Sequence, residues 1–165
     1  MAIASVLTDT FKEELLGGYH SFNASGDTPA GSAFKIALYS ATTANIGTTT
    51  TQWVVASTPS ADPTNTLEVT TTGSGYTSGG NALTNTGVAK STVTSYTDFS
   101  DTSWTSASFT ARGCLIYNSS TISGLLANAS VCTIDFGGDK TVSSGTFTIQ
   151  FPTNDSSDAI IRITS

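Results

Sequence analysis

The chain has 165 residues, one third of them Thr or Ser, with 11% charged residues and a formal charge of −6. That length suits a single domain with its own core, and 12 carboxylates against 6 cations, with no run of either sign, exclude the basic surface that nucleic acid or anionic lipid would need. One histidine and two cysteines are a poor supply of bases and metal ligands, so composition predicts no enzyme, no metal and no cofactor.

In chain order, the first residues do not read as a leader: Thr8, Asp9, Lys12, Glu13 and Glu14 interrupt the apolar character early, and the sequence predicts folding in a cytoplasm. No apolar stretch has the length of a membrane span, and no membrane partner is expected. Ile3, Leu7, Phe11 and Leu15 recur every four residues ahead of Gly17-Gly18, which predicts one amphipathic helix. A capping box of Thr10 and Glu13 would instead start it at Phe11. Residues 1–18 then form a helix or arm and residues 19–165 a single β domain. Two roles are open for the helix: a cover over one end of the β core, or an arm that docks on a neighbouring subunit through Ile3, Leu7 and Phe11.

After Gly31 the period becomes two. In FKIALY, Phe34, Ile36 and Leu38 alternate with Lys35, Ala37 and Tyr39, the pattern of a strand with one buried face. Short runs of the same kind follow at WVVA (53–56), TLEVT (66–70), SYTDF (95–99), SFTA (108–111), CLIY (114–117), VCTIDF (131–136), TFTIQF (146–151) and AIIRI (159–163), separated by Gly, Pro and Asn turn signals. The fold class is therefore mainly β: an antiparallel β-sandwich or jelly-roll-like domain with one short N-terminal helix. Residues 23–32 and 41–66 read as long loops, the second bearing an apolar patch, Trp53, Val54 and Val55, that is a second candidate contact. Cys114 and Cys132 lie in apolar strands and read as buried free thiols, with a cross-strand disulfide as the alternative. Arg112 and Arg162 interrupt apolar strands, so at least one is expected to meet a carboxylate such as Asp135 or Asp98, or to lie at a subunit interface.

The chemical motifs are weak. Asp135-Phe136-Gly137 lacks every other kinase element and reads as a strand ending in a Gly-Gly turn; His20 has no nucleophile motif to serve. The pairs Asp98 with Asp101 and Asp155 with Asp158 have glycosidase residue types but fall in turn-like stretches where aspartate caps backbone. Trp53, Tyr76, Trp104 and Tyr117 would suit a sugar-stacking platform if exposed, and a core if not.

The segments FKEELLGG (11–18), FKIALY (34–39), GSGYTSGGNAL (73–83), FTARGCLIYN (109–118), DFGGDKTV (135–142), FTIQFP (147–152) and AIIRI (159–163) resemble a family of small proteins encoded among the structural genes of tailed bacteriophages. The two loops look longer than that family's pattern. The resemblance implies a non-enzymatic virion component on a β-sandwich-like domain. Together with the residues it leads to the expectation of a capsid decoration, or cement, protein on the outer surface of the head. Its partners would be the major capsid protein and itself, as a homotrimer. A neck, tail or fibre-adaptor component and a carbohydrate-binding module for host attachment are the alternatives.

Overall fold

The computed structural model describes residues 3–24, 26–40, 46–54 and 67–165. The order of elements is β1 (Val6–Leu7), α1 (Asp9–Leu16), β2 (Phe34–Tyr39), β3 (Asn81–Leu83), β4 (Asn85–Ser91), β5 (Thr94–Phe99), β6 (Thr102–Asn118), β7 (Ala129–Ile149) and β8 (Ile161–Ile163). They form two antiparallel sheets, β1-β7-β6-β2-β3 and β4-β5-β8. Strands adjacent in the chain pair directly in β2–β3, β4–β5 and β6–β7, whereas β1–β7, β2–β6 and β5–β8 are neighbours only through crossovers.

The N-terminal segment departs from both predicted helices. Val6 and Leu7 pair as a short strand with Thr133 and Cys132, Thr8 is extended at ψ 156°, and the helix begins at Asp9. The Thr8 hydroxyl does not cap the helix; it is buried and faces the Ser130 and Val131 carbonyls. An apolar pair placed beside a waiting strand edge satisfies its backbone there, which outweighs helix propensity over so short a stretch. The predicted stop is present: Gly17 and Gly18 close the last turn on the Glu13 and Leu15 carbonyls, and Gly18 takes the left-handed φ of 77° that glycine tolerates. The segment is not a free arm. Phe11 is fully buried in the main core, and Ile3 is buried on the other face of the first sheet.

Four aromatic rings tie the two sheets together. Phe34 of β2 stacks on Phe22 at 4.6 Å and meets Phe99 of β5 edge-on at 5.5 Å, while Phe11 of α1 meets Phe22 edge-on at 6.0 Å. Beside them His20 is held between Glu14, 2.9 Å from Nε2, and the Asn118 amide, 3.1 Å from Nδ1. Asn118 Oδ1 accepts the Ser120 N–H, which turns its amide nitrogen toward the imidazole. Nδ1 must therefore accept, and the ring is neutral with its proton directed at Glu14.

Strand β2 has two buried faces, where one was predicted. Phe34, Ile36 and Leu38 face the space between the sheets, whereas Ala37 and Tyr39 join Leu115, Tyr117, Ile3, Ile46 and Trp53 in a second cluster on the outer side. A central strand covered on both sides cannot show a clean alternation. The long strands also differ from the prediction: SFTA and CLIY are one strand, β6, and VCTIDF and TFTIQF are one strand, β7. Register shifts between Trp104 and Ala107 and between Ala111 and Gly113 reset which side chains face inward, so the period-two pattern restarts within an unbroken strand.

Two tests follow. Phe11→Ala is expected to lower the unfolding free energy by about 3–5 kcal/mol; a docking arm would lose none, and chemical denaturation distinguishes the two. Burial lowers the His20 pKa from its ordinary 6.5 against the opposing pull of Glu14. Below that pH the unfolded chain takes up a proton that the fold resists. This contribution to stability is thus complete above about pH 6.5 and is lost as pH falls toward the lowered folded value. Urea midpoints measured across that range should show the slope, and His20→Gln should remove that part of it.

Candidate functional site

The least satisfied part of the fold is the outer edge of β7. On one side β7 pairs with β6 from Asn118↔Ala129 to Thr102↔Ile149; on the other it meets a single bridge from Gln52 at Ala129 and the short strand β1 at Cys132 and Thr133. Past that short strand the Asp135 N–H donates to Ser5 Oγ at 3.0 Å. Beyond that anchor, no strand among the described residues pairs with this edge.

A bulge shapes this edge. Ala111 pairs with Lys140 and Gly113 with Asp135, so Phe136, Gly137, Gly138 and Asp139 together oppose Arg112. The predicted Gly-Gly turn is therefore an insertion within a continuing strand. Asp135 Oδ1 accepts the Gly137 N–H at 2.8 Å and Arg112 Nε at 3.1 Å, and Arg112 Nη1 lies 3.9 Å from Asp139. These two donors, the Gly137 N–H first, hold the Asp135 carboxyl below its usual range. Gly137 sits at φ 71° with open space around it, so the backbone angle alone demands glycine there.

Beneath the edge runs an apolar trough. One stretch of about 500 Å³ is lined by Ile134, Phe136, Phe147, Ile149, Phe151 and Ile160, with Lys140 as its one charged lining residue. A second hollow of about 310 Å³, beside Val6, Leu7 and Cys132, adjoins the first at Ile134 and Ile160. Phe136, Phe147, Ile160 and Lys140 are absent from the residues singled out in the sequence. The first three belong to runs that read as ordinary core strands; Phe147 is buried in the main core, and Phe136 and Ile160 are half-buried against it, with one side toward the hollow.

The residues that were singled out fall elsewhere. Ile3, Phe11 and Trp53 are buried, Leu7 and Val54 are half-buried, and Val55 lies outside the described residues. Trp53 stacks on Tyr117 at 5.4 Å and an interplanar angle of 10°, closing the outer face of the first sheet. Tyr76 and Trp104 stack in the main core, so none of the four rings of the imagined sugar platform is exposed. Arg112 has the carboxylate partners described above; Arg162, opposite Tyr96 on β8, is exposed and has no ion-pair partner among the described residues. Three of the four candidate carboxylates hold backbone. Asp98 accepts from the Phe99 and Ile160 N–H groups, Asp101 from Phe151, and Asp155 from Ser157 and Asp158. Among the described residues no three of His, Cys, Asp and Glu gather as a metal site would need, and no helix is long and apolar enough to cross a membrane.

The cysteines are free. Register places Cys114 opposite Ile134 and Cys132 opposite Ile116, so the thiols are diagonal neighbours on paired strands. Burial pushes Cys132 up to about 12, with the Asp98 charge adding to it, and raises Cys114 further above the ordinary thiol range. Neither forms thiolate at neutral pH. Both thiols are therefore expected to resist a thiol-reactive probe in the native protein and to react fully in denaturant. Gly137→Ala, meeting no neighbour, should cost about 1–2 kcal/mol in unfolding free energy from its backbone angle alone. Comparison with models of protein families, with curated proteins and with solved structures finds no match for this chain.

Proposed function

We propose that this chain is a non-catalytic structural protein of a bacteriophage particle, and more narrowly a decoration protein that bridges capsomers on the outer surface of the head. The observation that carries the reading is the open edge of β7 above an apolar hollow lined by Ile134, Phe136, Phe147 and Phe151. A long open edge is a liability that soluble proteins normally blunt, and an extended segment of another protein can be added to it as a strand. Backbone hydrogen bonds along the edge would supply affinity, and alternate side chains of the added strand would enter the trough between Phe136 and Phe147. The major capsid protein is the proposed source of that strand.

Three further features support the assignment. The chain resembles small virion proteins of tailed phages along most of its length. Three of its four candidate carboxylates are engaged in holding backbone, which leaves no poised acid and base among the pairs considered. Its large aromatic rings are spent on packing, which takes away the exposed platform a carbohydrate-binding module would use. The mechanism is thermodynamic: copies that bind only the mature lattice stabilise it by mass action, and contact with two capsomers at once multiplies the effect.

The test is the copy number in purified particles, measured by quantitative mass spectrometry against the major capsid protein and the portal. A ratio near that of the capsid protein is the expected result. A ratio near that of the portal would move the protein to the neck or tail, and absence from the particle would end the virion reading. On particles, Phe136→Asp should weaken binding by about tenfold or more, because it places a charge in the trough.

A further inference from the structure

A second apolar surface lies apart from the trough residues. Five large apolar side chains stand exposed among the described residues: Leu16, Val88, Val93, Leu126 and Ile163. Four of these sit on α1, β4, β8 and the β4–β5 turn, and register explains why. Val88, Thr97 and Ile161 lie side by side on one face of the second sheet, and Ile161 is buried, so this is the inner face. One step further along the strands, the same face carries Lys90, Ser95 and Ile163, and Ile163 is 59% exposed. The inner face of the second sheet thus overhangs the first. Its other wall is the end of α1: Leu15 lines a hollow of about 100 Å³ with Val88, Tyr96 and Ile163, and the next residue, Leu16, is 92% exposed.

Charge identifies what covers this hollow. Lys90 stands on that inner face and α1 contributes Lys12, Asp9, Glu13 and Glu14, whereas Arg162, between Ile161 and Ile163, lies on the opposite face of the sheet. Lys12 is bonded to Asp9 and Glu14 to His20. Glu13 on the helix and Lys90 on the sheet have no ion-pair partner among the described residues. A surface carrying both signs beside shared apolar ground is complementary to itself, which is the requirement of a contact about a two-fold axis. Elsewhere a chain of net charge −6 repels its own copy.

We infer that this surface is a homodimer interface, with the C-terminal end of α1 in each copy seated on the overhanging face of the partner's second sheet and Glu13 directed toward the partner's Lys90. The two walls belong to one contiguous patch, so they pair two copies about a dyad; a three-fold ring would need two separate patches. The inference uses none of the trough residues and holds whether or not the protein joins a particle.

Analytical ultracentrifugation of the purified chain over a wide concentration range tests it, and a concentration-dependent dimer is the expected result. Leu16→Lys and Val88→Lys alter exposed side chains and should leave the unfolding midpoint unchanged. Each change occurs twice in a symmetric interface, so each should raise the dimer dissociation constant by about a hundredfold. Glu13→Lys should weaken the dimer, and adding Lys90→Glu should restore it. Lys140→Ala, in the β7 trough, should leave the dimer intact while testing the particle contact separately. A monomer at every concentration, a trimer, or a dimer indifferent to both Leu16→Lys and Val88→Lys would overturn the inference.

Discussion

Strands β6 and β7 pair from Asn118↔Ala129 to Thr102↔Ile149, and every other part of the first sheet takes its place from that ribbon. Strand β2 lies along one flank, bringing β3 with it, and β1 touches the other. Seventeen residues of β6 would extend roughly 55 Å if straight, longer than a compact domain of this size is wide. Bulges resolve the conflict by bending the strands and turning their faces. The insertion at Phe136 to Asp139, tied by Arg112 to Asp135, is one such place. Its geometry is held electrostatically as well as sterically, since one carboxylate oxygen receives both a backbone N–H and a guanidinium.

The ribbon also explains why the first sheet has two cores. Where β2 joins β6, Ile36 and Ile116 look toward the second sheet, while Tyr39, Leu115 and Tyr117 look outward and need a cover. Ile3, Ile46 and Trp53 provide it from segments with no regular structure. Burial of these side chains fixes segments that composition alone would leave loose, and it spends the aromatic residues that a sugar-binding surface would have displayed. Two acidic residues are engaged similarly: Asp98 and Asp101 satisfy backbone N–H groups near the ends of strands, which helps to hold the sheets.

Two surfaces remain unspent, and they differ in kind. The β7 edge offers unpaired backbone above an apolar trough, which suits an extended strand from another protein. The overhang beside α1 offers apolar side chains with balanced charge, which suits a second copy of the same surface. A protein that associates with itself through one surface and adds to a lattice through another gains from multivalent attachment, because a dimer tethered by one half presents its other half at high local concentration.

Much of the class was legible in sequence. The Thr- and Ser-rich composition, the alternation in FKIALY and the regular turn signals specify antiparallel β structure, and Gly17-Gly18 specifies where the helix ends, because these are local preferences of backbone and side chain. The fates of particular residues were not legible. Phe11 and Ile3 have the spacing of an amphipathic arm, yet one lies in each core, since the strand edge that captures Val6 and Leu7 comes from residues more than a hundred positions away. Trp53 reads as an exposed anchor until Tyr117 is placed beneath it. Phe147, Ile149 and Phe151 read as core, and while Phe147 is buried, all three line an open hollow because no strand among the described residues lies beside β7 there. Local physics chose the elements; which faces and edges stayed open was decided only when distant strands packed, because exposure is a property of neighbours and not of the residue itself.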